Sequence, residues 1–478
     1  MKKENKNFLY NVLYQVFTFI IPLITTPYIS RVLGVDNIGI YSYTYSIVYY
    51  FMLITMLGIN NYGSRTIAKS TNDNDKLSYY FCSIYYLQLF CGIVMLILYN
   101  ILVLFVFKEY RSAFLIQNIY ILSAIFDINW LYFGLEKFKI TISRNVIIKL
   151  CSLIFIFLFV KTKSDLLIYI IIASGSTLLS QLYLWLFVKK NVKITKVKIR
   201  DIFKNFKPCL ILFVPVVAYG IYRVMDKTML GKISGTIVLG YYENAEKIIN
   251  IPISFINALG TVMLPNISKI VNDSKELEKK IYASFKLCLF FVVPIFFGLL
   301  TIGKDFSVVF FGKDFSNSGI IIQYLSITIV FSAITNVIRT NYLIPKEMDK
   351  IYVSSTIIGA IINFIINLCL IPKYGYIGAC IGTILAEFSV MLVQLLYVRK
   401  EINIYKIYKI LLEYTLKSII MTIFLLIIDL IIKNITLKII FQIICGVLIY
   451  FTLNYKFILY DFLNIEKKLF KKVIKNEK

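Results

Sequence analysis

Histidine is absent from all 478 residues. That removes histidine metal sites and imidazole proton relays. Acidic residues are scarce as well: 26 Asp and Glu stand against 52 Lys and Arg. Charge of either sign makes up only 16% of the chain, where a soluble domain carries about 25%. Polar stretches between apolar runs reach only about 20 residues, and domains rarely go below about 50. The chain therefore lacks room for a soluble catalytic module, which weighs against most membrane enzymes. The eight cysteines form no CxxC pair and lie in or beside apolar segments, as small packing residues do. The first 30 residues open like a signal peptide, with Lys2, Lys3 and Lys6 before an apolar run. That run is long, contains Asn11 and Gln15, and lacks an A-x-A cleavage site, so it reads as an uncleaved first span.

Apolar length is what the chain has in abundance. It is 59% hydrophobic, with a mean hydropathy of +0.77. A helix needs about 20 apolar residues to cross a hydrocarbon core of about 30 Å. Spans are expected near 8–30, 38–59, 80–107, 112–133, 142–160, 166–188, 209–230, 236–264, 283–303, 320–342, 351–371, 377–398, 411–432 and 437–460. The expected fold is an all-α polytopic membrane protein of about fourteen transmembrane helices, with twelve as the alternative count. Most Lys and Arg fall on one side: both tails and the loops near 60–79, 134–149, 189–207, 265–286, 344–350 and 399–409. The positive-inside rule makes that side, and both termini, cytoplasmic. The net charge of +26 is thus a matter of topology, and a nucleic-acid partner is rejected.

The richest basic loop, KKNVKITKVKIRDIFKNFK at 189–207, is expected as a topology anchor that also meets anionic lipid head groups. It divides the chain into an N-terminal lobe (1–190), a basic linker (191–208), a C-terminal lobe (209–400) and a final helix pair with a basic tail (401–478). The lobes are expected to be pseudo-symmetric six-helix units. Leu33-Gly34 followed by Gly39-Ile40-Tyr41 is echoed by Leu230-Gly231 followed by Gly240-Tyr241-Tyr242. Proline also recurs in the opening helix of each lobe: Pro22 and Pro27, then Pro215. A proline removes a helix hydrogen bond and kinks the segment, so these three are candidate hinges. Repeats with interrupted helices are a plan of alternating-access transporters.

Ionisable residues within spans are costly and usually have a partner or a task. Arg31, Arg223, Asp226, Lys227, Glu243, Glu246 and Lys247 are expected in one outer layer. Spacings of three and four put Arg223 beside Asp226 and Lys227, and Glu243 beside Lys247. These groups either neutralise one another or line a cationic surface that holds phosphate, for which the planar fork of arginine is suited. Arg339, late in the tenth span, can snorkel to the interface or meet a phosphate from the inner side. Glu387, near the middle of the twelfth span, and Asp127, in the fourth, are candidates for proton or sodium coupling or for structural caps. Asp429 is expected at the interface. The Asp73-Asn74-Asp75 run in STNDNDK imitates a D-x-D metal motif, but nothing around it supports coordination. No metal or cofactor is expected.

Six segments, in this order, carry a resemblance: PYISRVLGVDNIGIYS (27–42), LGINNYGSRTIAKS (57–70), NWLYFGLEKFKITISRN (129–145), DKTMLGKISGTIVLGYYENAEKI (226–248), VMLPNISK (262–269) and NFIINLCLIPKYGYIGACIGTILAE (363–387). With them the chain resembles the oligosaccharide-unit flippases of polysaccharide biosynthesis (Wzx-type), in the superfamily that also holds MATE drug exporters and lipid II flippases. The resemblance implies a two-lobed bundle in the bacterial cytoplasmic membrane. It implies a substrate of undecaprenyl-diphosphate carrying a short glycan for capsule or another surface polysaccharide, and alternating access driven by an ion gradient or membrane potential. A polysaccharide polymerase and a chain-length regulator are candidate partners, alongside membrane lipid, and the chain is expected as a monomer. Arg31, Arg65, Asp226, Lys227, Glu243 and Glu387 lie inside the matched segments. Arg223, Asp127 and Arg339 lie outside and rest on physical reasoning alone. Such a cargo can leave its tail in lipid while basic groups replace the water lost from its phosphates. No bond is broken, so no nucleophile is needed. The alternatives are a relative carrying lipid II, a teichoic-type lipid or a drug, a membrane glycosyltransferase or polymerase, and a scaffold.

Overall fold

The structure is a computed structural model that describes residues 3–462 apart from 269 and 272. Side chains are described from residue 21 onward, except at 138, 214, 215, 218, 219, 221–223, 262, 265, 266 and 460–462. The chain divides into two compact units, Lys3–Gly240 and Tyr241–Lys478. The first contains α1 (Lys3–Met56), α2 (Ile59–Lys69), α3 (Asn74–Phe105), α4 (Arg111–Ile125), α5 (Asn129–Gly134), α6 (Phe138–Phe159), α7 (Leu166–Trp185), α8 (Ile199–Lys204) and α9 (Phe206–Ile233). Helix α10 (Thr236–Ser268) begins in the first unit and continues into the second. The second continues with α11 (Ser274–Phe311), α12 (Ser316–Ile338), α13 (Asp349–Tyr374), α14 (Tyr376–Val398), α15 (Ile404–Ile431) and α16 (Ile435–Leu453). No strand occurs among the described residues.

Eleven helices among the described residues are long and apolar enough to cross a membrane. This is a polytopic membrane protein. Its surface is that of a bundle solvated by lipid: Phe105, Leu158, Phe159 and Leu430 are exposed, while Gln88, Gln117, Asn363, Asn367 and Gln394 are buried. Buried amides of this kind tie helices together where lipid offers no hydrophobic driving force.

The expected span 8–30 and nearly all of 38–59 fall within α1, whose helical geometry is broken at Gly34 (φ 77°). Only glycine takes that conformation without penalty. The helix passes through Pro22 and Pro27, so the interruption lies beyond the prolines. Asn37 Nδ2 donates to the Leu33 carbonyl (3.0 Å) and to the Lys163 carbonyl (2.7 Å), which steadies the break. A second left-handed glycine, Gly235 (φ 90°), separates α9 from α10. The glycines that follow these breaks meet one another within the first unit. A Cβ on Gly39 would lie 1.7 Å from the Thr236 carbonyl oxygen, and one on Gly240 would lie 2.1 Å from that of Val35. The Thr236 hydroxyl donates to Asp36 beside them (2.5 Å). The repeated glycines of the sequence thus form a reciprocal backbone crossing.

The loop expected near 60–79 is partly α2, which buries Ile59, Gly63 and Ile67 at helical spacing. Gly63 lies against the Trp130 indole. Asp73 caps α3, accepting from the backbone of Asp75 (3.1 Å) and Lys76 (3.0 Å). The fourth expected span is broken between α4 and α5, which frees carbonyls inside the bundle, where each must find a donor. Gln88 on α3 supplies it: Nε2 donates to the Ala124 (2.7 Å) and Asp127 (2.8 Å) carbonyls, and Oε1 accepts from Trp130 Nε1 (3.1 Å). Gln88→Leu leaves these groups unpaired and should lower stability by about 2–4 kcal/mol. Thermal unfolding in detergent measures this; an unchanged midpoint would contradict the role.

Candidate functional site

The charged residues expected in one outer layer divide between the units. In Lys3–Gly240, Arg31 is exposed, Lys227 is half-buried and Asp226 is buried at 6% exposure. The side chains of Arg223 and Pro215 lie outside the described residues. In Tyr241–Lys478, Glu243 is buried, with one carboxylate oxygen 3.6 Å from Lys247 Nζ, as the spacing of four requires. Glu246 is half-buried one turn on.

Asp127 lies in the break between α4 and α5. It accepts from the Asn129 backbone (2.9 Å) and from Asn129 Nδ2 (2.7 Å), as a cap does. Asn129 also donates to Gln181 Oε1 (3.1 Å) and accepts from Arg144 Nη2 (3.1 Å). Arg144 is only 3% exposed, and its Nη1 donates to the Ser180 carbonyl (2.9 Å). In the sequence Arg144 falls where the basic loop near 134–149 overlaps the span expected at 142–160, and it was given no role. Helix α6 starts before that span, at Phe138, and holds Arg144 inside the bundle. Buried carbonyls and amides there occupy the guanidinium, so its role is to join α5, α6 and α7.

Arg339 has a different setting. It begins a short π-helix, Arg339–Leu343, at the end of α12. Its Nη2 donates to Asn257 Oδ1 on α10 (3.2 Å), and the guanidinium lies 5.5 Å from the Tyr352 ring centroid on α13. Asn257 Oδ1 also accepts from Asn336 Nδ2 (2.6 Å), one turn back on α12. Arg339 Nε is buried without a hydrogen-bond partner, and no carboxylate among the described residues pairs with this arginine. The amide and the ring fix the orientation of the fork; its charge is left uncompensated. A half-buried guanidinium of this kind attracts a phosphate or carboxylate.

Below the π-helix, Lys346 donates to the Tyr342 hydroxyl (3.3 Å) and pairs with Glu401. The Lys346 hydrogen bond, and then the Tyr342 one, hold the Glu401 carboxyl below its ordinary range. A lowered carboxylate stabilises the fold above its unfolded pKa and loses that effect as pH falls through the folded one, so this clasp persists at neutral pH.

Glu387 on α14 accepts a hydrogen bond from Ser332 on α12 (3.0 Å). Ser332, Asn336 and Arg339 recur at spacings of four and three, so they share one face of α12. Sequence reasoning found Arg339 and Glu387 as isolated charges. It missed Asn257, Asn336, Ser332 and Tyr352, for which the only available signal was a polar group in an apolar span. At the junction of the last two helices, Lys438 pairs with Asp305 (2.5 Å) and Asp429 (2.8 Å), tying α15 and α16 to α11.

Known proteins place this arrangement. The family described as polysaccharide biosynthesis protein matches residues 5–271, more than half of the chain. The chain belongs to this family. A Shigella dysenteriae protein named as an O-antigen transporter is 25% identical over 394 residues, covering 82% of the chain and 98% of the relative. A protein of the same designation from Escherichia coli (strain K12) is 23% identical over 402 residues, covering 83% and 97%. A solved structure of the lipid II flippase MurJ, in an inward closed conformation, superposes with a TM-score of 0.75 at 22% identity, covering 95% of this chain and 99% of that one. It gives this member of the polysaccharide biosynthesis family the MurJ fold. The expected all-helical transporter architecture is borne out, and these relatives are named for transport and flipping rather than for catalysis.

Proposed function

We propose that this chain translocates a lipid-linked oligosaccharide across the bacterial cytoplasmic membrane by alternating access between two lobes. The observation that carries the reading is the match along nearly the full length of relatives named as O-antigen transporters. The carrier is undecaprenyl-diphosphate, and the product feeds a capsule or another surface polysaccharide. Both termini are cytoplasmic, on the side where the basic loops collect. Arg339, with its fixed and uncompensated fork, receives the diphosphate at one end of the path. Arg31, Arg223, Lys227 and Lys247 receive it in the outer layer, with Asp226, Glu243 and Glu246 as charge partners. The lobes move on the helices that carry Pro22, Pro27 and Pro215. The chain works as a monomer and delivers to a polymerase and its chain-length regulator.

Deleting the gene in its host should abolish the surface polysaccharide and accumulate lipid-linked repeat units on the inner leaflet. Normal surface polysaccharide would refute the reading.

Ion coupling falls to Glu387, whose carboxylate faces a hydroxyl across two helices; Asp127 keeps the capping role. Glu387→Gln should reduce the gradient-dependent part of translocation in vesicles by about tenfold, the scale of one lost charge-assisted contact. An unchanged response to the gradient removes Glu387 from the mechanism.

A further inference from the structure

The basic linker is not a free tether. After α7 the chain runs extended and is fixed to the start of α3. The Lys193 amide donates to Ser78 Oγ (3.0 Å), and the Thr195 amide contacts Cys82 Sγ (3.3 Å). Val192 is buried against this end of the bundle, whereas Ile194 and Ile199 project outward, 73% and 72% exposed. Phe203 on α8 packs edge-on to Phe90 of α3 at 5.4 Å. Both rings are about half exposed, and the more exposed Ile211 on α9 extends the apolar band.

Around this band the segment 189–207 carries eight Lys and Arg and one acid, Asp201. Asp201 is already engaged by Lys204 (2.6 Å), which helps to hold its carboxyl below the ordinary range. A nucleic acid would meet the charges and leave the isoleucines and phenylalanines in water. A bilayer edge with anionic head groups satisfies both. Each basic side chain near such a surface contributes about 1 kcal/mol, and the apolar side chains reach below the head groups.

We infer that residues 189–207 form a membrane-docking surface for anionic phospholipid, with Ile194, Ile199 and Phe203 inserted and the lysines on the head groups. The inference is independent of the cargo. It adds to the expected contact with anionic head groups the apolar side chains that insert beside them and hold the segment on its leaflet.

The test uses the full chain in nanodiscs of phosphatidylcholine alone or with about one third phosphatidylglycerol. Trypsin cleavage after Lys193, Lys196, Lys198 and Arg200 is followed by mass spectrometry. Cleavage should be about tenfold slower in the anionic discs, and 0.5 M salt should remove most of the difference, since its Debye length is only about 4 Å. The Ile194→Ser/Ile199→Ser variant keeps every cleavage site and the net charge and should lose most of the protection without a change in Tm. Equal cleavage in the two discs would overturn the proposal. So would protection that an added soluble acidic polypeptide confers in phosphatidylcholine while phosphatidylglycerol confers none, because the surface would then be built for a protein.

Discussion

Arg339→Gln is expected to lower translocation by about 10- to 100-fold, the worth of one or two charge-assisted hydrogen bonds to phosphate. The fold should be kept. The reason lies in what surrounds the guanidinium: an amide oxygen of Asn257 at 3.2 Å, the face of Tyr352, and no paired carboxylate among the described residues. Removing a half-buried charge that lacks an acidic partner relieves a desolvation cost, so Tm in detergent should hold or rise slightly. A structural arginine such as Arg144, whose donors are spent on buried oxygens, behaves in the opposite way: Arg144→Gln should lower Tm. Arg339→Lys keeps the charge but not the planar fork and should restore only part of the activity. If Arg339→Gln lost stability and activity together, the residue would be structural and the phosphate role would fail.

The second large effect is expected at the glycine crossing. Alanine at Gly39 or Gly240 drives a methyl group to 1.7 or 2.1 Å from a backbone oxygen. Neither oxygen is on a flexible side chain, so the start of α10 and the second segment of α1 must move apart. Overpacking of this kind costs about 1–3 kcal/mol or more. The contacts given up include the Thr236–Asp36 hydrogen bond. Either alanine should lower Tm by several degrees and reduce translocation, and valine should do so more severely. Gly175 on α7 is the control, because a Cβ there meets nothing within 4 Å. Alanine at that position should be neutral or slightly stabilising, by up to about 1 kcal/mol of helix propensity. Equal stability of the Gly39 and Gly175 variants would contradict the crossing.

The two residues show how far the sequence can be read. Apolar length announced the helices, and spacing of four announced the Glu243–Lys247 pair, because both depend on local period alone. Gly39 and Gly240 stood out as echoes, yet the contact between them joins residues about 200 positions apart and has no local signature. Arg339 was visible as a charge in a span, but Asn257 and Tyr352, which orient it, come from two other helices. Pro22 and Pro27 were read as candidate hinges because proline is the usual cause of a kink; the break in α1 lies instead at the left-handed Gly34, between the two expected spans. The role of Arg144 was missed for a related reason: a buried polar network with Asn129, Asn145 and Ser180 looks like a loop in one dimension.

The measurement closest to the central claim is flipping in proteoliposomes that contain only this chain and an undecaprenyl-diphosphate-linked oligosaccharide. The glycan exposed on each face is read by an impermeant oxidant or a lectin. The account predicts movement of the glycan across the bilayer that requires the chain, responds to an imposed ion gradient, and is largely lost with Arg339→Gln. Movement at the rate of empty vesicles, with the chain folded and inserted, would contradict it.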